Sequence, residues 1–103
     1  AGRARIGALV GGVIGQALDE VDKAKMASAT QKALENQRVG QATTWKNPDS
    51  GNSGTVVPTR TIVRPSAPPC REYRHTVMIG DRKQTLVGTA CRQADGSWVQ
   101  ARN

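Results

Sequence analysis

At 103 residues, 37% of them hydrophobic and 3% aromatic with no Phe, the chain has material for one modest core, so a single small domain is expected. Fifteen Lys and Arg against eight Asp and Glu leave a formal charge of +7, which either favours anionic partners or serves solubility alone, the basic residues being spread along the chain. Nucleic-acid recognition has no support: there is no helix-turn-helix, zinc-ligand or RNP pattern, and the three aromatics, Trp45, Tyr73 and Trp98, are far apart.

Residues 1–18 form the first predicted segment. Ile6 to Leu18 read IGALVGGVIGQAL, with Gly7, Gly11 and Gly15 spaced by four and therefore on one helical face. Gly costs an isolated helix about 1 kcal/mol per residue relative to Ala, so three in register point to a setting where close backbone approach offsets that cost, such as helix pairing in a membrane. The stretch is shorter than the roughly 20 residues a span requires. It reads as the second half of a helical hairpin or as a helix packing on another protein, against the plainer alternative of a small-residue helix in a soluble core. The chain begins Ala1-Gly2-Arg3, without an initiator Met or a lipid-carrying cysteine, and is expected to be a processed or partial piece of a longer protein.

Residues 19–40 read as a polar helix, with Leu18, Val21 or Asp22, Met26, Ala29, Ala33 and Leu34 as a narrow apolar stripe and Gly40 as its stop. A solvated spacer is expected there. Residues 41–103 carry strand and turn signals. Ala42–Lys46 and Thr55–Val63 suggest a hairpin with a long polar loop over 47–54, and Pro58 marks an edge or an interruption. Arg64-Pro65-Ser66-Ala67-Pro68-Pro69 reads as a stiff connector.

Cys70–Ile79 and Arg82–Gln93 flank Gly80-Asp81, a dipeptide suited to a two-residue turn. With that turn, facing positions sum to 161: Cys70 faces Cys91 at a non-hydrogen-bonded pair, and Tyr73 lies over Gly88. A redox pair would usually be C-x-x-C, and a zinc site needs four ligands where the chain offers two cysteines and His75. A disulfide is the reading that survives, and it implies an oxidising compartment. Asp95-Gly96 is a second turn, leading into a last strand from Ser97 to Arg102. The expected fold is α+β: a glycine-zipper helix continuing into a polar helix, then a five-stranded antiparallel meander or open barrel with one disulfide. Trp45 and Trp98 are expected as core or edge-covering residues, with ligand stacking as the alternative.

Candidate acids and bases are few. Glu72 and His75 are three apart on a strand and face opposite ways, and Asp81 and Asp95 occupy turns where Asp has a structural reason to occur. No nucleophile sits beside a base, so no enzyme, cofactor, metal or small-molecule substrate is expected.

With these residues in view, the chain resembles the rickettsial 17-kilodalton surface antigen family, glycine-zipper outer-membrane lipoproteins common in alphaproteobacteria. The resemblance covers nearly the whole chain. Besides the zipper Gly7–Gly15 it is carried by Gln31-Lys32-Ala33-Leu34-Glu35, Trp45-Lys46-Asn47-Pro48-Asp49-Ser50-Gly51, Cys70-Arg71-Glu72-Tyr73, and Gly88-Thr89-Ala90-Cys91-Arg92-Gln93-Ala94-Asp95-Gly96-Ser97-Trp98. It implies an N-terminal lipid anchor, a paired zipper in the membrane and a β domain in the periplasm or at the surface. The lipidated cysteine and first zipper half of that pattern are not in this sequence.

Two functional readings follow. The first is a non-enzymatic envelope lipoprotein of the outer membrane with a structural or interaction role, an accessory subunit of an outer-membrane protein complex, with envelope proteins as partners and the zipper available for self-association. The second is a periplasmic module binding an anionic envelope polymer, lipopolysaccharide or peptidoglycan, through Arg71, Arg82 and Arg92, which share a sheet face in the proposed register; Arg74 and Lys83 fall on the other.

Overall fold

The computed structural model describes residues 17–101, so the zipper glycines Gly7, Gly11 and Gly15 lie outside the described residues. Helix α1 (Glu20–Asn36) begins at a reciprocal cap. The Asp19 carboxylate accepts from the Asp22 amide at 2.7 Å, and the Asp22 carboxylate accepts from the Asp19 amide at 3.1 Å, satisfying two amides that a helix start otherwise leaves unpaired. Glu20 and Asp22 add negative charge to the first turn, where the helix dipole favours it. The helix stops before the expected Gly40. Gln37 leaves helical geometry and its amide closes on the Ala33 carbonyl at 3.0 Å, while the Gly40 amide bonds to the Pro58 carbonyl at 2.9 Å.

The expectation of a solvated spacer is corrected by how this helix packs. Met26, Ala29, Ala33 and Leu34 share one buried cluster with Trp45, Val56, Tyr73, Val77, Ala90 and Trp98. The face looks weak in sequence because half of it is Ala. Small side chains let the helix backbone approach the sheet closely, so the face packs densely despite its low apolar content. Between the two candidates for the start of the stripe, Asp22 faces inward and is fully buried, while Val21 is 52% exposed. Leu18, the end of the glycine-spaced segment, belongs to the same core.

Five antiparallel strands follow in sequence order, β1 (Thr43–Asn47), β2 (Asn52–Arg64), β3 (Ala67–Ile79), β4 (Arg82–Arg92) and β5 (Trp98–Gln100), forming the expected meander. The helix touches β1, β2, β3 and β5, so the sheet curls around it. The β1–β2 connection is shorter than the expected eight-residue loop: Asn47 pairs with Asn52, and Asn52, Ser53 and Gly54 are already in β2. Pro58 does mark an interruption, because the β2–β3 register shifts between Pro58 and Arg60. Its carbonyl faces Gly40, beyond the last β1 partner at Val56, so its nitrogen faces the same open side and no ladder bond is lost.

The expected connector over 64–69 is instead a tight turn. Arg64 pairs with Ala67, and Pro68 and Pro69 lie within β3. They precede Cys70, where β4 pairing starts, so their missing amides interrupt no β3–β4 ladder. From Cys70 onward β3 and β4 pair as the Gly80-Asp81 turn predicts: Ile79 with Arg82, Tyr73 with Gly88, Cys70 with Cys91. The two cysteines form a disulfide at a non-hydrogen-bonded pair, the position where facing residues of an antiparallel ladder come closest. The last strand is shorter than expected, covering three residues.

Candidate functional site

Polar side chains tie α1 to the sheet at three places. At the N-terminal end of the helix, Asp22 accepts from Asn47 Nδ2 at 2.8 Å, Ser50 Oγ at 2.7 Å and Asn52 Nδ2 at 2.8 Å. Burial pushes the Asp22 carboxyl pKa up, but the hydrogen bonds from Ser50, Asn52, Asn47 and the Asp19 amide outweigh it and hold the carboxyl below its ordinary value. Asn52 also accepts from the Gly80 amide at 3.2 Å. One carboxylate thus ties the helix start to the β1–β2 turn, and Asn52 extends the tie to the β3–β4 turn. This accounts for the segment Asn47-Pro48-Asp49-Ser50-Gly51 as a scaffold for Asp22.

In the middle of the helix, His75 from β3 is 1% exposed and engaged at both ring nitrogens. Trp45 Nε1 donates to His75 Nε2 at 2.9 Å; because an indole nitrogen only donates, Nε2 accepts and the neutral ring carries its proton on Nδ1. Nδ1 lies 3.2 Å from Thr30 Oγ1, which donates in turn to the Met26 carbonyl at 2.9 Å. Burial lowers the His75 pKa to about 4. The chain Trp45–His75–Thr30–Met26 is closed on itself, and Glu72 is on the outer face beside Arg60 at 3.7 Å, as the strand spacing requires.

At the C-terminal end of the helix there is no basic residue in the last turn, and β3 supplies one. Arg71 donates Nη1 to the Leu34 carbonyl at 2.7 Å and Nε to Thr61 Oγ1 at 3.0 Å, countering the negative end of the helix dipole. Alongside, Gln31 pairs with the Trp98 backbone in both directions at 2.9 Å, through Nε2 to the carbonyl and Oε1 from the amide. One turn on, Glu35 Oε1 accepts from Trp98 Nε1 and Arg92 Nε, both at 2.9 Å. The hydrogen bonds from Arg92 and Trp98 hold the Glu35 carboxyl below its usual range. Gln31 and Glu35, four apart on one face, hold a three-residue strand that has few ladder bonds of its own.

The three proposed anion-binding arginines do share a face, as predicted, but it is the face that α1 covers. Arg71 is 8% exposed and bonded to helix carbonyls, Arg92 is paired with Glu35, and only Arg82 is open, at the β3–β4 turn. They form no common patch. Arg74 and Lys83 are exposed on the opposite face. Trp45 and Trp98 are buried, at 6% and 2% exposure, in their expected core role. Asp95 makes an Asx turn, accepting from the Ser97 amide at 3.0 Å. Among the described residues no three His, Cys, Asp or Glu are grouped to hold a metal, and no helix is long and apolar enough to cross a membrane.

The roles of Asp22, Thr30 and the Gln31/Glu35 pair are not among the sequence expectations. A capping-box spacing from Asp19 to Asp22 and a Gln-x-x-x-Glu spacing were there to find; the tie between Thr30 and His75, 45 residues apart, leaves no local signal.

Comparison with known proteins now places the chain. A family model for the 17 kDa outer membrane surface antigen matches residues 32–99. Proteins named 17 kDa surface antigen are 44% identical to the chain over 85 residues in Rickettsia bellii (strain RML369-C), 80 in Rickettsia prowazekii (strain Madrid E) and 81 in Rickettsia conorii (strain ATCC VR-613 / Malish 7). These matches take in 82%, 78% and 79% of this chain but 54%, 50% and 51% of the relatives, so the chain spans about half their length. No solved structure matches. The matched region runs from Lys32, near the end of the helix, into β5 and takes in the ties of Arg71 to the Leu34 carbonyl and of Glu35 to Arg92 and Trp98, and the chain belongs to the 17 kDa outer membrane surface antigen family.

Proposed function

We propose that the protein is a non-enzymatic component of the bacterial outer envelope, an outer-membrane-associated lipoprotein of surface antigen type that acts by binding other envelope proteins. The observation that carries this reading is the family match over residues 32–99. Two structural features support it. The Cys70–Cys91 disulfide suits an oxidising compartment such as the periplasm or cell surface. Of the candidate acid–base groups, His75 has both ring nitrogens engaged in the core, Glu72 lies beside Arg60 on the outer face and Asp95 holds an Asx turn. The sequence of residues 1–18, with Gly7, Gly11 and Gly15 in register, supplies the membrane-associated segment of this reading.

The test is fractionation of the full-length protein in its native host, alongside a variant carrying Gly7, Gly11 and Gly15 as Leu. The wild type is expected in the outer-membrane fraction and the variant is expected to lose complex formation. Normal fractionation and normal complexes in the variant would contradict the zipper role. Turnover of peptidoglycan or ester substrates by the purified chain would contradict the non-enzymatic reading.

A further inference from the structure

An open groove of about 440 Å³ runs between α1 and β1. Its wall on the helix side is made by Ala24, Ser28 and Ala29, and on the sheet side by Thr43, Thr44 and Trp45; Lys25, Lys32 and Lys46 stand along it. Three features of this groove combine. First, β1 is the outer strand of the sheet, paired with β2 on one side. Among the described residues its other side makes no backbone hydrogen bond to any element, so it presents unused strand donors and acceptors. Second, the helix side chains facing the groove are small, which leaves room for a main chain beside β1. Third, the three lysines are exposed and none pairs with a carboxylate among the described residues, the ion pairs there being Lys23–Glu20, Arg60–Glu72 and Arg92–Glu35.

We propose that this groove receives an extended acidic segment of a partner protein, which adds to β1 as a sixth strand with its carboxylates against Lys25, Lys32 and Lys46. A strand edge is complementary to a peptide backbone, and alternate side chains then meet whatever flanks the edge. Here cations flank it. A second copy of this chain is a poor occupant, because it would bring a +7 charge to a ring of lysines. Residues 1–16 are no better, since they contain Arg3 and Arg5 and no carboxylate. A bare polyanion would satisfy the lysines and leave the strand edge unpaired. The assignment deepens the interaction-protein reading and rests on it, naming the chemistry of the partner.

The experiment uses the 103-residue chain and the end-blocked heptapeptide Thr-Glu-Glu-Thr-Glu-Glu-Thr, whose carboxylates reach both faces of an added strand, followed by backbone amide NMR shifts and calorimetry. The expected result is saturable shifts over Thr43–Lys46. Affinity should fall at least tenfold when the peptide is N-methylated at alternate amides, and at least tenfold again in the protein variant K25Q/K32Q/K46Q. These lysines are exposed, so the variant should keep its fold, which circular dichroism checks. Shifts centred elsewhere, equal binding of the N-methylated peptide, or equal competition by inorganic polyphosphate would overturn the proposal. If the peptide fails to bind while envelope proteins still co-purify with the native protein, the groove assignment falls and the interaction reading stands.

Discussion

Trp45 can only donate, and that fact fixes the charge state of His75. A protonated ring would carry hydrogens on both nitrogens and turn Nε2 toward the Trp45 N–H as a second donor, breaking the 2.9 Å bond in a site that is 1% exposed. The folded pKa of about 4 lies below the ordinary 6.5, so between these values the unfolded chain binds more protons than the folded one. Stability contributed by neutral His75 is therefore complete above pH 6.5 and is lost as pH falls toward 4. The loss is on the order of 3 kcal/mol, since each tenfold weakening of proton binding is worth about 1.4 kcal/mol. Urea titrations from pH 7.5 to 4 check this, with the midpoint beginning to fall below pH 6.5. Asp22 acts lower on the scale: its folded pKa is depressed, so its contribution is present at neutral pH and disappears below its ordinary value of 3.8. Replacing it tests the carboxylate directly. Asp22→Ala leaves the Asn47, Ser50 and Asn52 donors without their acceptor and should cost about 2–4 kcal/mol in chemical denaturation. Two glycines are required by their cross-strand aromatics: a Cβ on Gly54 would stand 2.3 Å from Trp45 Nε1, and one on Gly88 2.9 Å from the Tyr73 hydroxyl.

At the scale of elements, the β3–β4 hairpin is readable from residue arithmetic because a two-residue turn leaves no freedom: once Gly80-Asp81 is the turn, every partner follows, including Cys70 with Cys91 and Tyr73 with Gly88. The β1–β2 turn reads as too long in sequence, because Asn52, Ser53 and Gly54 have poor strand propensity. Asn52 enters β2 since its side chain bridges Asp22 and Gly80, and Gly54 because Trp45 covers it. Helix α1 is legible in position but not in role. Beside Met26 and Leu34 its face is built from Ala, Thr30 and the buried Asp22, and the value of those two polar residues depends on partners 25 to 45 residues away. The disulfide closes a span of 21 residues between β3 and β4. Replacing both cysteines by Ser should cost about 3 kcal/mol, on the order of 15 °C in Tm for a domain of this size, without changing the fold seen by far-ultraviolet circular dichroism. Unchanged thermal unfolding would contradict the structural role given to the bridge.

Over the whole molecule, His75, Arg71 and Arg92, three of the residues that look chemical in the sequence, turn out to join the helix to the curled sheet, while Glu72 and Arg74 stay on its outer face. Of the candidate anion-binding set, Arg71 and Arg92 are visible as a shared face, but sequence does not show that the face lies under α1. What the described residues leave for recognition is the outer sheet face with Arg74 and Lys83, and the groove beside β1. The domain is therefore a stapled, self-satisfied module, and the proposed function assigns its role to surfaces and to the N-terminal segment. The most direct measurement of that claim is affinity purification of the full-length protein from native outer membranes in mild detergent, with the retained proteins identified and quantified. An interaction protein is expected to retain a stoichiometric envelope partner that survives washing. Recovery of the protein alone, from a fraction that also lacks outer-membrane markers, would contradict the account.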